Sequence, residues 1–491
     1  MGARSGTAIL ASILVVVGFI SALMAYEKPL WSDEICTVIV SRLAGASEIW
    51  NALDNAADTN PPGFYFFARL GRQIVADDHL GYRLPSILGL LGTLACLYAI
   101  LCRRVDRLSA LVGAAFVLST PLVEYGYEAR PYALLVCCIA AAILAWQRIE
   151  DSRLYAFALM IALATALSVH YYAILVWPAF VLAEAVVWFL RRRLRVGVWL
   201  ALALGAIPLF LFRGLALHLR QYYGQNFWIH PSLGQILTAP NYLFNMMGFW
   251  GISLTIGAIA VLVWWSVQEK RLPMEDCAII VTLLMLPVIA VVAAKISGGG
   301  MTPRYMMPTI LGGALAVGYL TGKAAPAARA LLLVIMLVNY GLPSISILPR
   351  AVRGTLLARR AAAEREATTI LAKYRGYGLP ILISNGLQYL PMAYYMREGE
   401  KAGLSVPIDP AAAVVYSRTD SVDLALVALA KYFPLNLVDY RRFSSEHGEF
   451  IMVSDNGGRV DWWPLRLMQE GHAMSLLSME GSTQVYRVVI R

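Results

Sequence analysis

Two adjacent carboxylates, Asp33 and Glu34, stand in the stretch LWSDEICTVIVSRLAG, residues 30–45, just beyond a strongly apolar run. A carboxylate in that place can take a proton from a substrate hydroxyl, or help to hold a divalent metal ion. Asp33 reads as a candidate base. Glu34 is a second candidate, and equally suits capping, since Ser-Asp-Glu is a good helix start. A second constellation, STPLVEYGYEARPYALL (119–135), sets Glu124, Glu128 and Arg130 between two apolar runs. Pro131 suits the first turn of the next helix. The acid and the arginine read either as reacting groups or as an interfacial ion pair within an aromatic belt of Tyr125, Tyr127 and Tyr132. The third is KISGGGMTPRYMMP (295–308), where Lys295 and Arg304 bracket three glycines. Glycine lets backbone N–H groups approach a ligand, and the planar guanidinium fork of arginine suits a phosphate. Snorkelling at a helix end is the competing reading. His170, Tyr171 and Tyr172 lie at another such boundary, as ligand contacts or as interfacial side chains.

The elements that must position these groups follow from composition. The chain has 491 residues, 59% of them hydrophobic and only 15% charged, with a mean hydropathy of +0.62. Soluble domains are about half apolar and a quarter charged. A polytopic membrane protein is therefore expected. Apolar runs near 7–26, 83–101, 109–124, 131–147, 153–170, 171–190, 196–213, 247–267, 277–294, 306–322 and 330–348 predict about eleven spans. The first is expected to be a retained helix, since no small-residue cleavage site follows it. The net charge of +10 is placed in cytoplasmic loops and gives no reason to expect a nucleic-acid partner. The basic loops CRRVDR (102–107), QRIEDSR (147–153), RRRLR (191–195) and QEKR (268–271) alternate with less basic ones, which predicts a cytoplasmic N-terminus. Segments 27–82, 124–130, 214–246 and 295–305 and the tail then face outward. Glu184, within one span, is expected to partner the nearby arginines. Six cysteines without a CxxC pair suggest neither a disulfide framework nor a zinc site.

The loop 27–82 is longer than a connector needs. Its apolar stretches, Ile49–Leu53 and Phe64–Leu70, predict short helices at the membrane interface. The tail, 350–491, is less apolar. LPILISN, AAVVYS, LNLVDY, GEFIMVSD and QVYRVVIR read as strands, between helical runs at 355–374 and 422–432. A small extracytoplasmic α/β domain is expected there, after a membrane domain spanning 1–349.

WSDE after the first span, NPPGFYFFARL, YRLPSILGLLGTLACLYAI, YGYEARPYALL and TPRYMMP together resemble the GT-C glycosyltransferases, over roughly residues 1–320. The nearest group contains the protein O-mannosyltransferases and the lipid A aminoarabinose transferases. The resemblance implies an all-α polytopic bundle that transfers a sugar, with inversion, from a polyprenyl-phosphate donor to a lipid, glycan or protein acceptor. The setting it implies is the outer face of a bacterial cytoplasmic membrane. It assigns the first-loop acid, Asp33 with Glu34 beside it, as base or as ligand of a substrate or a metal such as Mg or Mn. It carries the acid after the third span onto Glu128, and the phosphate ligand of the Arg-Tyr motif onto Arg304 with Tyr305. Many relatives have a cation before the Pro-Pro pair, where this chain has Asn60. Phosphate binding would then fall to Arg83, Arg130, Lys295 or Arg304, and a metal at that position is in question. A transporter or flippase for a lipid-linked or anionic solute is the alternative. Such a path needs ionisable groups near the bilayer midplane, whereas here they gather at one boundary. A third reading makes the protein a membrane-anchored binding module.

Overall fold

A computed structural model describes residues 3–224, 226–269, 272–455 and 461–491; Lys270 and Arg271 of the last basic loop lie outside the described residues. The chain is mostly helical. It divides into two compact units, one of residues 1–26, 60–213 and 230–354, the other of 27–59, 214–229 and 355–491.

The first unit is a helix bundle. Four helices of the chain, Arg4–Glu27, Asp78–Cys102, Tyr171–Arg191 and Trp250–Val267, are long and apolar enough to cross a membrane, or up to six if each of two bent pairs is one span. One bent pair, Met274–Leu284 with Leu286–Ser297, turns by 57° at Met285, just before Pro287. Proline removes a helical N–H and crowds the preceding turn, so the bend has a local cause. Shorter apolar helices fill in at Arg107–Ser119, Tyr132–Gln147, Leu154–Val169, Thr309–Thr321 and Pro326–Leu342. The chain is thus a multi-pass membrane protein whose helices match the apolar runs, although several are shorter than a full crossing requires.

Lipid tails are as apolar as leucine, so close backbone approach, rather than water exclusion, holds such helices together. Gly89 shows this. A Cβ there would lie 2.6 Å from the Leu134 amide nitrogen, so Asp78–Cys102 meets Tyr132–Gln147 backbone to backbone. Gly63 does the same, 2.5 Å from the Ser168 carbonyl oxygen. Near one boundary the bundle buries paired charges. Arg104 meets Asp276 at 2.5 Å, and the Tyr319 hydroxyl donates to Asp276 at 3.0 Å. Glu184 pairs with Arg195 and accepts from the Trp146 indole at 2.6 Å. The partner expected for Glu184 is therefore found in the RRRLR run.

The second unit holds a four-stranded sheet in the order Ile381–Ile383, Glu449–Asp455, Thr483–Val489, Ala473–Glu480. The first pair is parallel and the other two are antiparallel. Val406–Ile408 and Leu437–Asp439 form a second, parallel pair. Phe450, Met452, Trp462, Trp463 and Leu467 are buried together as its core. Four of the five expected strands are present. AAVVYS is instead helical, within Pro410–Ser417, because Pro410 stands at the first helical turn and the Asp409 carboxylate caps the Ala412 amide at 3.0 Å. Local capping outweighs the β preference of Val414 and Val415. The expected helical runs appear as Leu357–Tyr374 and Ser421–Leu429.

Candidate functional site

The acid-bearing segment belongs to the second unit. Trp31 precedes the helix Ser32–Arg42. The buried Glu34 carboxylate turns back to accept from the Trp31 amide at 3.4 Å, which is the capping role left open above. Asp33 is half-buried, and its carbonyl accepts from the Thr37 hydroxyl at 3.2 Å. That hydroxyl also lies 3.4 Å from Asp58 Oδ2. Asp58, 8% exposed, is thus one hydroxyl away from the turn that carries Asp33. Motif reading passed over it; its signal was an acid three residues before the Pro-Pro pair.

The same segment is pinned by the strand-bearing part of its own unit. The Leu30 amide donates to the Tyr395 hydroxyl at 2.8 Å, and the Ser32 hydroxyl to the Leu387 carbonyl at 2.8 Å. Arg42 donates to the Tyr394 hydroxyl at 2.9 Å. Ala56 adopts a left-handed φ of 60°, a costly state for a residue with a Cβ. The Tyr223 hydroxyl holds it by donating to its carbonyl at 2.9 Å.

The cations belong to the helix bundle. Residues 126–131 form an irregular link before the helix Tyr132–Gln147. The Arg130 amide bonds the Glu128 carbonyl at 2.8 Å, and the Ser86 hydroxyl fixes the Arg130 carbonyl at 2.9 Å. Glu128 and Arg130 are 7% and 2% exposed. On the opposite run, Gly298 takes a φ of 66° to close the helix Leu286–Ser297, which a residue with a Cβ does at a cost. The chain then crosses Gly299–Met301 and enters the turn Pro303–Met306. Tyr172 donates to the Gly300 carbonyl, and Gln235 donates to the Met301 carbonyl at 3.0 Å. Arg304 is thereby aimed at the Tyr132 ring, 5.9 Å from its centroid.

His170 sits in the turn between two apolar helices, at the centre of this cluster. Its ring lies 5.5 Å from Tyr132, 5.9 Å from Tyr172 and 5.2 Å from Tyr305. Burial, with the Arg130 and Arg304 guanidiniums nearby, holds its imidazole down at about 3, so it is neutral at ordinary pH. Burial pushes the Tyr242 phenol up; its hydrogen bond from Tyr125 and the nearby Arg304 pull it down, while Glu124 and Glu128 raise it. Both acids and Arg304 are therefore within electrostatic reach of one hydroxyl. Glu128, Arg130, His170, Arg304 and Tyr305 are brought together, joined by Tyr132, Tyr172 and Tyr242. Tyr172 stands among the boundary residues named from sequence and Tyr132 in the expected aromatic belt; Tyr242 was missed because nothing in tyrosine spacing separates a pocket wall from such a belt.

Other expected residues lie apart from that cluster's ring contacts. Arg83 is fully buried and donates to the Ala25 carbonyl at 2.6 Å, clasping the first helix. Lys295 is exposed on the helix Leu286–Ser297. Tyr171 makes no ring contact among the described residues; Tyr172 does. Asn60 is buried, and its amide nitrogen has no hydrogen-bond partner among the described residues. Among the described residues, no three His, Cys, Asp or Glu side chains are grouped to hold a metal ion. A metal at Asp33 or Glu128 thus has no such donor set behind it among the described residues.

The fold is similar to that of ArnT from Cupriavidus metallidurans. The structure of that protein in the apo state matches with a TM-score of 0.59 at 15% identity, covering 99% of this chain and 98% of that one. Its structure bound to undecaprenyl phosphate matches with a TM-score of 0.60 at 14% identity, over 99% and 98% of the two chains. Residues 59–214 match the family described as dolichyl-phosphate-mannose-protein mannosyltransferase. The matched segment contains Asn60, Arg83, Glu128, Arg130, His170 and Tyr171, and ends before Arg304. No curated protein matches the chain.

Proposed function

We propose that the protein is an integral membrane glycosyltransferase that moves a sugar from a polyprenyl-phosphate donor to a lipid, glycan or protein acceptor. The observation that carries this reading is the cluster of buried Arg130 and buried, neutral His170 with half-buried Arg304, walled by Tyr132, Tyr172 and Tyr305, within a GT-C fold. Support also comes from the ArnT structure that binds undecaprenyl phosphate and from the match to a family of polyprenyl-phosphate-dependent transferases.

In this reading Asp33 accepts the proton of an acceptor hydroxyl. The hydroxyl oxygen attacks the anomeric carbon, the glycosidic bond to phosphate breaks, and the configuration inverts. The leaving phosphate keeps the bonding pair, and Arg304 and Arg130 stabilise its charge. Rings and buried backbone around those cations lower the local dielectric and strengthen that stabilisation. His170 adds polar contact without further charge. Glu34 serves the helix start. The donor already carries its activated bond, so no nucleotide is needed. The basic loops support a cytoplasmic N-terminus, with the reaction on the outer face of a bacterial inner membrane.

The test is transfer by purified protein in vesicles supplied with a defined polyprenyl-phosphate sugar. Covalent appearance of the sugar on an acceptor, with release of polyprenyl phosphate, is expected. Sugar that crosses the vesicle membrane without joining an acceptor would replace this reading with transport.

A further inference from the structure

The second unit contains a groove of about 760 Å³ that the transferase reading leaves unused. It lies between the helix Leu357–Tyr374 and the hairpin of Ala473–Glu480 and Thr483–Val489, and Pro29 closes one side. Its size is within the usual range for a small-molecule site, and its walls mix apolar surface with polar and charged groups. Thr369, Tyr374, Ser478 and Thr483 present hydroxyls. Arg359, Arg365 and Lys373 supply three positive charges against the two negative charges of Glu366 and Glu480. Lys373 and Glu480 neutralise one another at 2.7 Å, whereas Arg359 and Arg365 make no ion pair among the described residues. The rim therefore retains a positive excess, in the form of forks that suit a phosphate or carboxylate. Tyr374 is buried, with its hydroxyl bonded to Ser478, so the groove offers hydroxyl contacts rather than a broad aromatic face. A polyhydroxylated, anionic ligand fits that lining better than an apolar or planar one. Pro29 also lies only four residues before Asp33 within the same unit.

We propose that this groove binds an anionic saccharide, the part of the acceptor that lies beyond the reacting hydroxyl. The assignment to the acceptor rests on the transferase reading; the chemistry of the groove does not.

The test uses full-length protein in nanodiscs of neutral lipid, with glucose 6-phosphate and glucose as probes read by saturation-transfer NMR. Glucose 6-phosphate is expected to bind at least about tenfold more tightly than glucose. The double variant Arg359→Glu/Arg365→Glu should erase that preference, and Ser478→Trp should block both sugars by filling the groove. Thermal midpoints of the variants establish that they are folded. Equal binding of the two sugars overturns the proposal, as does binding that both variants leave unchanged. Capture of phosphatidylglycerol, lost in the arginine variant, without binding of glucose 6-phosphate would make the groove a lipid-headgroup site instead. None of these measurements needs turnover. Probe binding without any transfer sinks the transferase reading alone; transfer without probe binding sinks the groove alone.

Discussion

Asp33 and Arg304 are held in different ways. Asp33 begins a helix whose start is fastened by hydrogen bonds to Tyr395 and Leu387, so its register depends on the strand-bearing fold. That fold is kept together by burial of Trp462, Trp463 and Phe450. Arg304 stands on a short turn after a glycine run, steadied by Tyr172 and Gln235 and faced by the Tyr132 ring. Its surroundings come from helices packed through contacts such as Gly89 on Leu134. The acid is thus fixed by specific polar bonds, and the cation is embedded in an aromatic, low-dielectric wall. In the proposed function, proton transfer falls to the first place and phosphate recognition to the second.

The sharpest break of that division is Asp33→Asn. Loss of a general base costs about 10²–10⁴ in rate, so kcat should fall by that amount while donor KM changes little. Full turnover by a folded variant would remove Asp33 from the chemistry and turn attention to Asp58. The next effect is Arg304→Ala. Removal of one preorganised charge stabiliser costs about 10²–10³ in kcat, and donor KM should rise as well, because the phosphate is present in the ground state. Arg304→Lys should recover only part of both, since lysine keeps the charge and loses the fork. Equal kinetic signatures from Asp33→Asn and Arg304→Ala would collapse the distinction between the two places.

Much of the bundle was legible because a bilayer demands long apolar helices, and such helices declare themselves in composition. Asp33, Glu128, Arg130 and Arg304 stood out as candidates for a related reason: a charge beside an apolar run is rare and conspicuous. Asp58 and Gln235 did not, because their roles arise from hydrogen bonds between segments distant in sequence, as Gln235 with Met301 shows. Glu34 also bonds back to the helix start and Arg83 to the first helix, contacts that composition alone does not reveal. The strand Ala473–Glu480 was missed because, as an edge strand with exposed Leu476 and Met479, it lacks a clean alternation. AAVVYS was misread because its Val-Val pair is visible in composition, while the Asp409 cap acts through geometry.

The two units should also respond oppositely to pH. Burial raises the Asp423 carboxyl to about 6. Its folded pKa exceeds its unfolded one, so stability is fullest below the unfolded value and declines as pH rises toward about 6. His170 is depressed to about 3. Its unfolded form binds a proton below the ordinary histidine value, so that contribution declines as pH falls from there toward about 3. Between about pH 4 and pH 7, the thermal midpoint of Asp423→Asn relative to the parent should rise with pH. That of His170→Asn should fall. Parallel slopes for the two variants would show that these groups do not mark the two units as different.

The smallest effect tests whether the strand-bearing region sets the position of Asp33 or merely adjoins it. Tyr395→Phe deletes the oxygen that accepts from the Leu30 amide and keeps the ring. A typical intramolecular hydrogen bond contributes about 1 kcal/mol, so a fall of up to about tenfold in kcat is the ceiling. Ser32→Ala removes the neighbouring bond to the Leu387 carbonyl. If the two bonds hold one helix start, the double variant should depart from additivity, because residues sharing a structural unit couple. The loss should appear in kcat with donor KM unchanged, since donor recognition is assigned to the arginine cluster. A loss confined to thermal stability, with kcat untouched, would leave the Tyr395 bond a structural seam with no part in aiming the base.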